Sequence, residues 1–139
     1  MMMKRILPLL GILMMVAGST YAQGTKTIRD KKIAVKTVNE YFLEEGQDTP
    51  VVESIERYNE EGRLVELKEM NRKGEVKRWE KYAYDQEGNL VEEQFLDAKG
   101  RISETEKNLY KDGLRIEKHY FDSRDKLYKK KVYVYEYHQ

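Results

Sequence analysis

Repetition constrains this chain more than any other feature of its sequence. One phrase recurs: an aromatic or large apolar residue, Asn or Asp, two polar residues, Gly, one further residue and an aliphatic. It stands as Tyr58-Asn59-Glu60-Glu61-Gly62-Arg63-Leu64, Met70-Asn71-Arg72-Lys73-Gly74-Glu75-Val76, Tyr84-Asp85-Gln86-Glu87-Gly88-Asn89-Leu90 and Leu96-Asp97-Ala98-Lys99-Gly100-Arg101-Ile102. Two altered copies follow. Tyr110-Lys111-Asp112-Gly113-Leu114-Arg115-Ile116 is one residue shorter before its Gly, and Phe121-Asp122-Ser123-Arg124-Asp125-Lys126-Leu127 has Asp in the Gly position.

The chemistry of the phrase is that of a hairpin turn. Asn or Asp bonds its own backbone two residues on, and Gly supplies the left-handed conformation that closes a four- or five-residue loop built on a type I turn. Gly62, Gly74, Gly88, Gly100 and Gly113 are therefore structural turn residues, and Asp125 reaches the same conformation at some cost. The segments between turns have strand length, not helix length. The predicted fold is all-β: an open, twisted antiparallel meander of about eight strands at 33–43, 51–58, 64–70, 76–84, 90–96, 102–110, 114–121 and 127–137. The first is the least sharply defined, since Val35, Val38 and Phe42 also suit one face of a helix. Residues 33–139 form a single β-repeat domain, preceded by a flexible lead-in over 23–32 and interrupted by a connecting loop at Gln47-Asp48-Thr49-Pro50.

Neither face of the predicted sheet is cleanly apolar. Over 76–84 one face carries Val76, Arg78, Glu80, Tyr82 and Tyr84, and the other Lys77, Trp79, Lys81 and Ala83. Charges in the strand centres can pair across neighbouring strands for about 0.2–1 kcal/mol each. Such a sheet is wet on much of both faces, which disfavours a barrel around a greasy cavity. The Lys-rich stretch at 126–131 protects the last edge against further pairing.

Composition matters most at the N-terminus, where residues 1–22 hold 15 of the 55 hydrophobic residues. Lys4 and Arg5 form a basic n-region, Ile6 to Ala17 an apolar h-region, and Thr20-Tyr21-Ala22 a small-residue cleavage site, the pattern of a secretory signal cut after Ala22. An h-region of twelve residues is too short to remain as an anchor, because a hydrocarbon core of roughly 30 Å needs about 20. The expected location is the periplasm or the cell exterior, with no membrane span after cleavage. The chain has no Cys, so disulfides cannot support it there. Beyond Ala22 the charges nearly cancel, 24 Lys/Arg against 25 Asp/Glu, which argues against nucleic acid as a partner. Only 25 of those 117 residues are Leu, Ile, Val or Phe, so a thin core is expected.

The phrase Tyr-Asn/Asp-x-x-Gly-Arg/Asn-Leu, a second such turn about twelve residues later and the return to Tyr82-x-Tyr84-Asp85 resemble the YD repeats of the RHS family of secreted bacterial proteins. The resemblance covers residues 55 to 127, more than half of the expected mature chain. The MORN-variant repeats of some antitoxin-like proteins are similar nearly to the same degree. Either resemblance implies a bacterial, exported or surface-associated, all-β, non-catalytic repeat. The chain is far shorter than the arrays that close into a shell around a toxin, so encapsulation is not implied.

Residues suited to chemistry are sparse. His119 and His138 are the two histidines, and no nucleophile-elbow phrase surrounds Ser54 or Ser103, so a Ser–His–acid triad is not expected. His119 with Asp122 supplies two ligands where a zinc site wants at least three. Glu44-Glu45, Glu60-Glu61 and Glu92-Glu93 are adjacent carboxylates, but neighbouring strand residues point to opposite faces, and catalytic acids need a pocket that shifts their pKa. The Asp/Asn turns lack the alternating oxygen ligands of a calcium loop, and no phosphate-cradling Gly loop is present. No cofactor or metal is expected. Aromatics remain: Trp79, Tyr82 and Tyr84, with the stripe Tyr133, Tyr135 and Tyr137, are the candidate binding surface, set against their use as cross-strand ladders that hold the sheet together. The expected function is a non-enzymatic binding or structural module whose partner is a protein or glycan of the cell envelope. The alternatives are an immunity- or antitoxin-like partner protein and a small carbohydrate-active enzyme.

Overall fold

The computed structural model describes residues 20–43 and 49–139. The expected signal segment lies outside the described residues up to position 19, as do Gln47 and Asp48 of the expected connecting loop. Eight strands follow one helix: α1 (Thr20–Asp30), β1 (Val35–Glu40), β2 (Val51–Tyr58), β3 (Leu64–Met70), β4 (Val76–Tyr84), β5 (Leu90–Leu96), β6 (Ile102–Lys111), β7 (Leu114–Phe121) and β8 (Leu127–Val132). Every strand pairs antiparallel with its sequence neighbours in the order β1 to β8, giving one open meander.

The repeated phrase builds its turn more tightly than its sequence suggests. At Asn59 to Arg63 the Gly62 amide donates to the Asn59 carbonyl at 3.0 Å and the Asn59 amide to the Arg63 carbonyl at 2.9 Å. Three residues separate the closing pair, instead of four or five, with Gly62 at φ 82° in the left-handed bulge position after a type I turn. Because Gly62 has taken the Asn59 carbonyl, the Arg63 amide turns to the Asn59 side chain, donating to Oδ1 at 2.8 Å. The same bond recurs from Glu75 to Asn71, Asn89 to Asp85, Arg101 to Asp97 and Lys126 to Asp122. The phrase therefore requires Asn or Asp to satisfy an amide displaced by the bulge, as well as the amide two residues on, which Lys73, Lys99 and Arg124 donate in three copies.

Two turns depart from the pattern. Between β6 and β7, Lys111 pairs directly with Leu114, and Asp112 and Gly113 have φ of 51° and 77°, a two-residue type I′ hairpin for which Asp-Gly is a preferred sequence. Between β7 and β8, Asp125 occupies the glycine position at φ 60°.

The segment expected to be a flexible lead-in is helical. Lys26 and Asp30 pair at 2.6 Å one turn apart, a spacing that supports isolated helices. The helix ends in a Schellman motif: the Ile33 amide bonds the Ile28 carbonyl and the Lys32 amide the Arg29 carbonyl, with Lys32 left-handed at φ 54°. No glycine announces this stop. α1 lies against the β2–β3 turn, where a Cβ on Gly62 would stand 2.8 Å from the Arg29 amide nitrogen and 3.0 Å from its Cβ.

Strand bounds also differ from expectation at β1, at β8 and, by one residue, at the end of β6. β1 begins at Val35 and ends at Glu40, and β8 stops at Val132, so Tyr133, Tyr135 and Tyr137 lie beyond the last strand.

The sheet is one layer, with no second sheet and no helix layer across either face among the described residues. No described side chain is fully buried. Directly paired residues share a face, and the register places Leu67 with Glu80, Glu80 with Phe95 and Glu106 with Tyr120. Leu67, Glu80, Asn108 and Tyr120, four of the most buried residues, thus stand on one face, here the first face. Trp79 and Lys68 stand on the second.

Candidate functional site

The first face is a chain of polar side chains laid across the strands. Glu80 accepts from Arg78 Nε at 2.7 Å and Nη2 at 3.1 Å, and from the Tyr82 hydroxyl. Burial pushes the Glu80 carboxyl up, but the hydrogen bonds from Arg78 and Tyr82 outweigh it and hold the group below the usual carboxylate range. Burial and the Glu80 carboxylate push the Tyr82 phenol up. Tyr82 pairs with Glu93 and Glu93 with Glu106, which sets two carboxylates side by side. Burial, then the charge of Glu106, raises the Glu93 carboxyl above its ordinary value. Lys118 relieves the pair from β7, its ammonium 2.6 Å from Glu106.

The second face uses its aromatics in the same way. Trp79 Nε1 donates to Glu66 at 2.9 Å, the Lys68 ammonium lies 4.1 Å from the ring centre, and a Cβ on Gly100 would touch the ring at 3.1 Å. Lys107 lies 5.0 Å from the Phe121 ring centre.

The six aromatic candidates do not converge on one site. Trp79 is capped by Lys68 and Glu66 on the second face, while the Tyr82 hydroxyl is engaged by Glu80 on the first. Tyr84 donates to the Leu64 carbonyl at 2.7 Å and Tyr135 to the Arg115 carbonyl at 2.6 Å. Tyr133 carries the Arg115 guanidinium 4.4 Å above its ring. Tyr137, 77% exposed, is the one most open to solvent. The Tyr120 ring lies 6.3 Å from that of Tyr128.

The polar candidates are likewise spent locally. His119 Nε2 lies 2.6 Å from Glu117, which holds that carboxyl below its usual range. Asp122 is held low by the amides of Lys126 and Arg124, and Ser103 donates to the Phe95 carbonyl at 2.9 Å. Two open depressions of about 220 and 290 Å³ mark the surface. Glu40, Glu53, Arg72 and Lys77 line the first, and Glu92, Lys107, Asp122 and Asp125 the second.

The Lys-rich stretch expected to protect the last edge lies on β8, and what the sequence did not single out is the aromatic ring that its lysines share. Lys129, Lys130 and Lys131 of β8 are exposed, and Lys129 and Lys131 both approach the Tyr120 ring, at 3.9 and 5.6 Å. Lysines 118, 129 and 131 gather there because the register brings three strand residues of one face around one ring, a coincidence visible only once β7 and β8 are aligned. No family model matches the chain, and no curated protein matches it at a significant level.

Proposed function

We propose that the chain is an exported, non-catalytic β-repeat protein that serves as a binding or structural module of the periplasm or cell exterior. The observation that carries this reading is the single-layer sheet, whose polar and aromatic side chains pair with one another along and across its strands on both faces. A catalytic carboxylic acid needs a raised pKa within a pocket that holds substrate. Glu93 has the raised pKa, but it stands in a row of side chains between Tyr82 and Glu106. The carboxyl of Asp122, which lines a depression, is shifted the opposite way. Large accessible faces with little interior suit recognition of another macromolecule better than enclosure of a small one. The YD-like turns and the basic-then-apolar N-terminus of residues 4–17 support export.

Fractionation of cells producing the chain with a C-terminal tag tests the proposal. The expected result is a protein beginning at Gln23 in the periplasm or medium, shifted to higher mass by chemical crosslinking in intact cells. A chain retaining Met1 in the cytosol or membrane overturns the export reading, and an uncrosslinked monomer overturns the binding reading.

A further inference from the structure

We propose that the open edge of β8 takes up an acidic, extended segment of a partner protein as a ninth strand. This inference names a partner for the binding-module reading and rests on it. β8 is terminal in the sheet and pairs with β7 alone among the described residues. The chain does not leave β7 at Val132: the Tyr133 amide donates to the Ile116 carbonyl at 3.0 Å and the Tyr135 hydroxyl to the Arg115 carbonyl at 2.6 Å. The outward edge is thereby held over the six residues of β8, about 20 Å of extended backbone. Its lysines protect that edge against strands of neutral or basic sequence, and its main-chain groups remain available to strand addition by an acidic one.

Charge decides which strand fits. Across the interior, directly opposed charges are often of opposite sign: Lys36 with Glu56, Glu66 with Lys81, Glu69 with Arg78 and Glu92 with Lys107. Between β7 and β8 that pattern fails. Lys118 faces Lys131, His119 faces Lys130 and Tyr120 faces Lys129. The carboxylates near these lysines come from the inner side, Glu106 at 2.6 Å from Lys118 and Glu117 at 4.0 Å from Lys130. A ninth strand with Glu or Asp opposite Lys129 and Lys131 supplies the missing partners on the first face, since side chains two apart on a strand share a face. Exposed Leu127, Val132 and Val134 offer contact to its aliphatic residues. A second copy is a poorer occupant. β8 against β8 sets lysines against lysines, and β1 brings Lys36 with one carboxylate, Glu40.

The probe is a fluorescein-labelled peptide, Val-Glu-Thr-Glu-Val-Thr-Val, titrated into the purified protein and followed by anisotropy. Saturable binding is expected, about tenfold weaker for the double variant Lys129→Glu/Lys131→Glu and unchanged for Lys99→Glu on a distant turn. N-methylation of the amides along one peptide edge should abolish binding, and along the other edge leave it intact. The same peptide with Lys for Glu should not bind. Absence of saturable binding overturns the proposal. So does equal binding of both N-methylated peptides, which would mean charge attraction without strand pairing. Light scattering showing a dimer that the peptide does not dissociate would assign the edge to a second copy. Because the titration uses purified protein, its failure leaves the result of cell fractionation standing, and failed export leaves the titration readable.

Discussion

The hydroxyl of Tyr84 donates to the main-chain carbonyl of Leu64 at 2.7 Å, twenty positions back in sequence. Leu64 stands two residues before Glu66, where the β3–β4 ladder begins, so the tyrosine reaches a carbonyl left outside the ladder by the bulge. Tyr110 does the same for Leu90 at 3.0 Å and Tyr135 for Arg115 at 2.6 Å, and those carbonyls stand two residues before the β5–β6 and β7–β8 ladders. For Tyr84 and Tyr110 the repeating unit is thus a pair of strands, in which one turn carries Gly at the bulge and the strand two further along ends in a tyrosine that closes it; Tyr135 makes the same bond from beyond β8, over the two-residue β6–β7 turn.

Removing these hydroxyls should cost stability without disturbing packing. Tyr84→Phe is expected to lose about 1 kcal/mol, the usual net value of a hydrogen bond to a backbone group, and Tyr110→Phe less, because Asn108 Nδ2 also donates to the Leu90 carbonyl at 3.0 Å. Urea titration checks this, with Tyr137→Phe as the exposed control that should not move.

Gly62 and Gly74 separate conformation from contact. Both have positive φ, 82° and 79°, but nothing lies within 4 Å of a Cβ on Gly74, whereas one on Gly62 runs into Arg29. Gly74→Ala should lose about 1 kcal/mol, the left-handed penalty for a residue with a side chain. Gly62→Ala should lose more, together with helical circular dichroism as α1 is displaced.

Asp125→Gly should stabilise the protein. The aspartate holds φ 60° where the other long turns use Gly, and relief of that strain is expected to outweigh the added freedom of the unfolded chain by about 0.5 kcal/mol. Thermal denaturation reads the gain directly.

The Glu93–Glu106 pair should make stability depend on pH. Burial, then the Glu106 charge, raises the Glu93 carboxyl in the folded state. Its contribution is therefore fully present below its unfolded value of about 4.3 and is lost as pH rises through the folded value. The groups around it are Glu80 and Tyr82 from β4, Glu106 from β6 and Lys118 from β7. Glu93→Gln should raise the melting temperature at pH 7.5 and change it little at pH 4.

The strand bounds of β2, β3, β4, β5 and β7 were legible in the sequence, because each is fenced by a residue pair whose turn chemistry is local. Tyr58-Asn59 ends one strand and Gly62-Arg63 starts the next whatever the rest of the chain does. Features set by distant contacts were not legible. The Tyr84–Leu64 bond joins residues twenty apart, and the buried face could not be read because Leu67 shares it with charged residues, Glu69 on its own strand and Glu80 and Arg78 opposite. α1 was missed because Lys32 fills a helix-stop position that usually holds Gly. The aromatic candidates were real features assigned to a shared surface, yet Trp79 and Tyr82 stand on opposite faces, each with a local partner.

The central claim is that turns, bulge-closing tyrosines and cross-strand pairs hold a single-layer sheet without an enclosed apolar core. The heat capacity change of unfolding measures buried apolar surface most directly, and an ordinary domain near this length gives about 1.2–1.5 kcal/mol/K per 100 residues. Differential scanning calorimetry of the purified protein across several pH values should give roughly half that value or less. The ordinary value would contradict the account, since it would require an apolar interior that a sheet wet on both faces does not have.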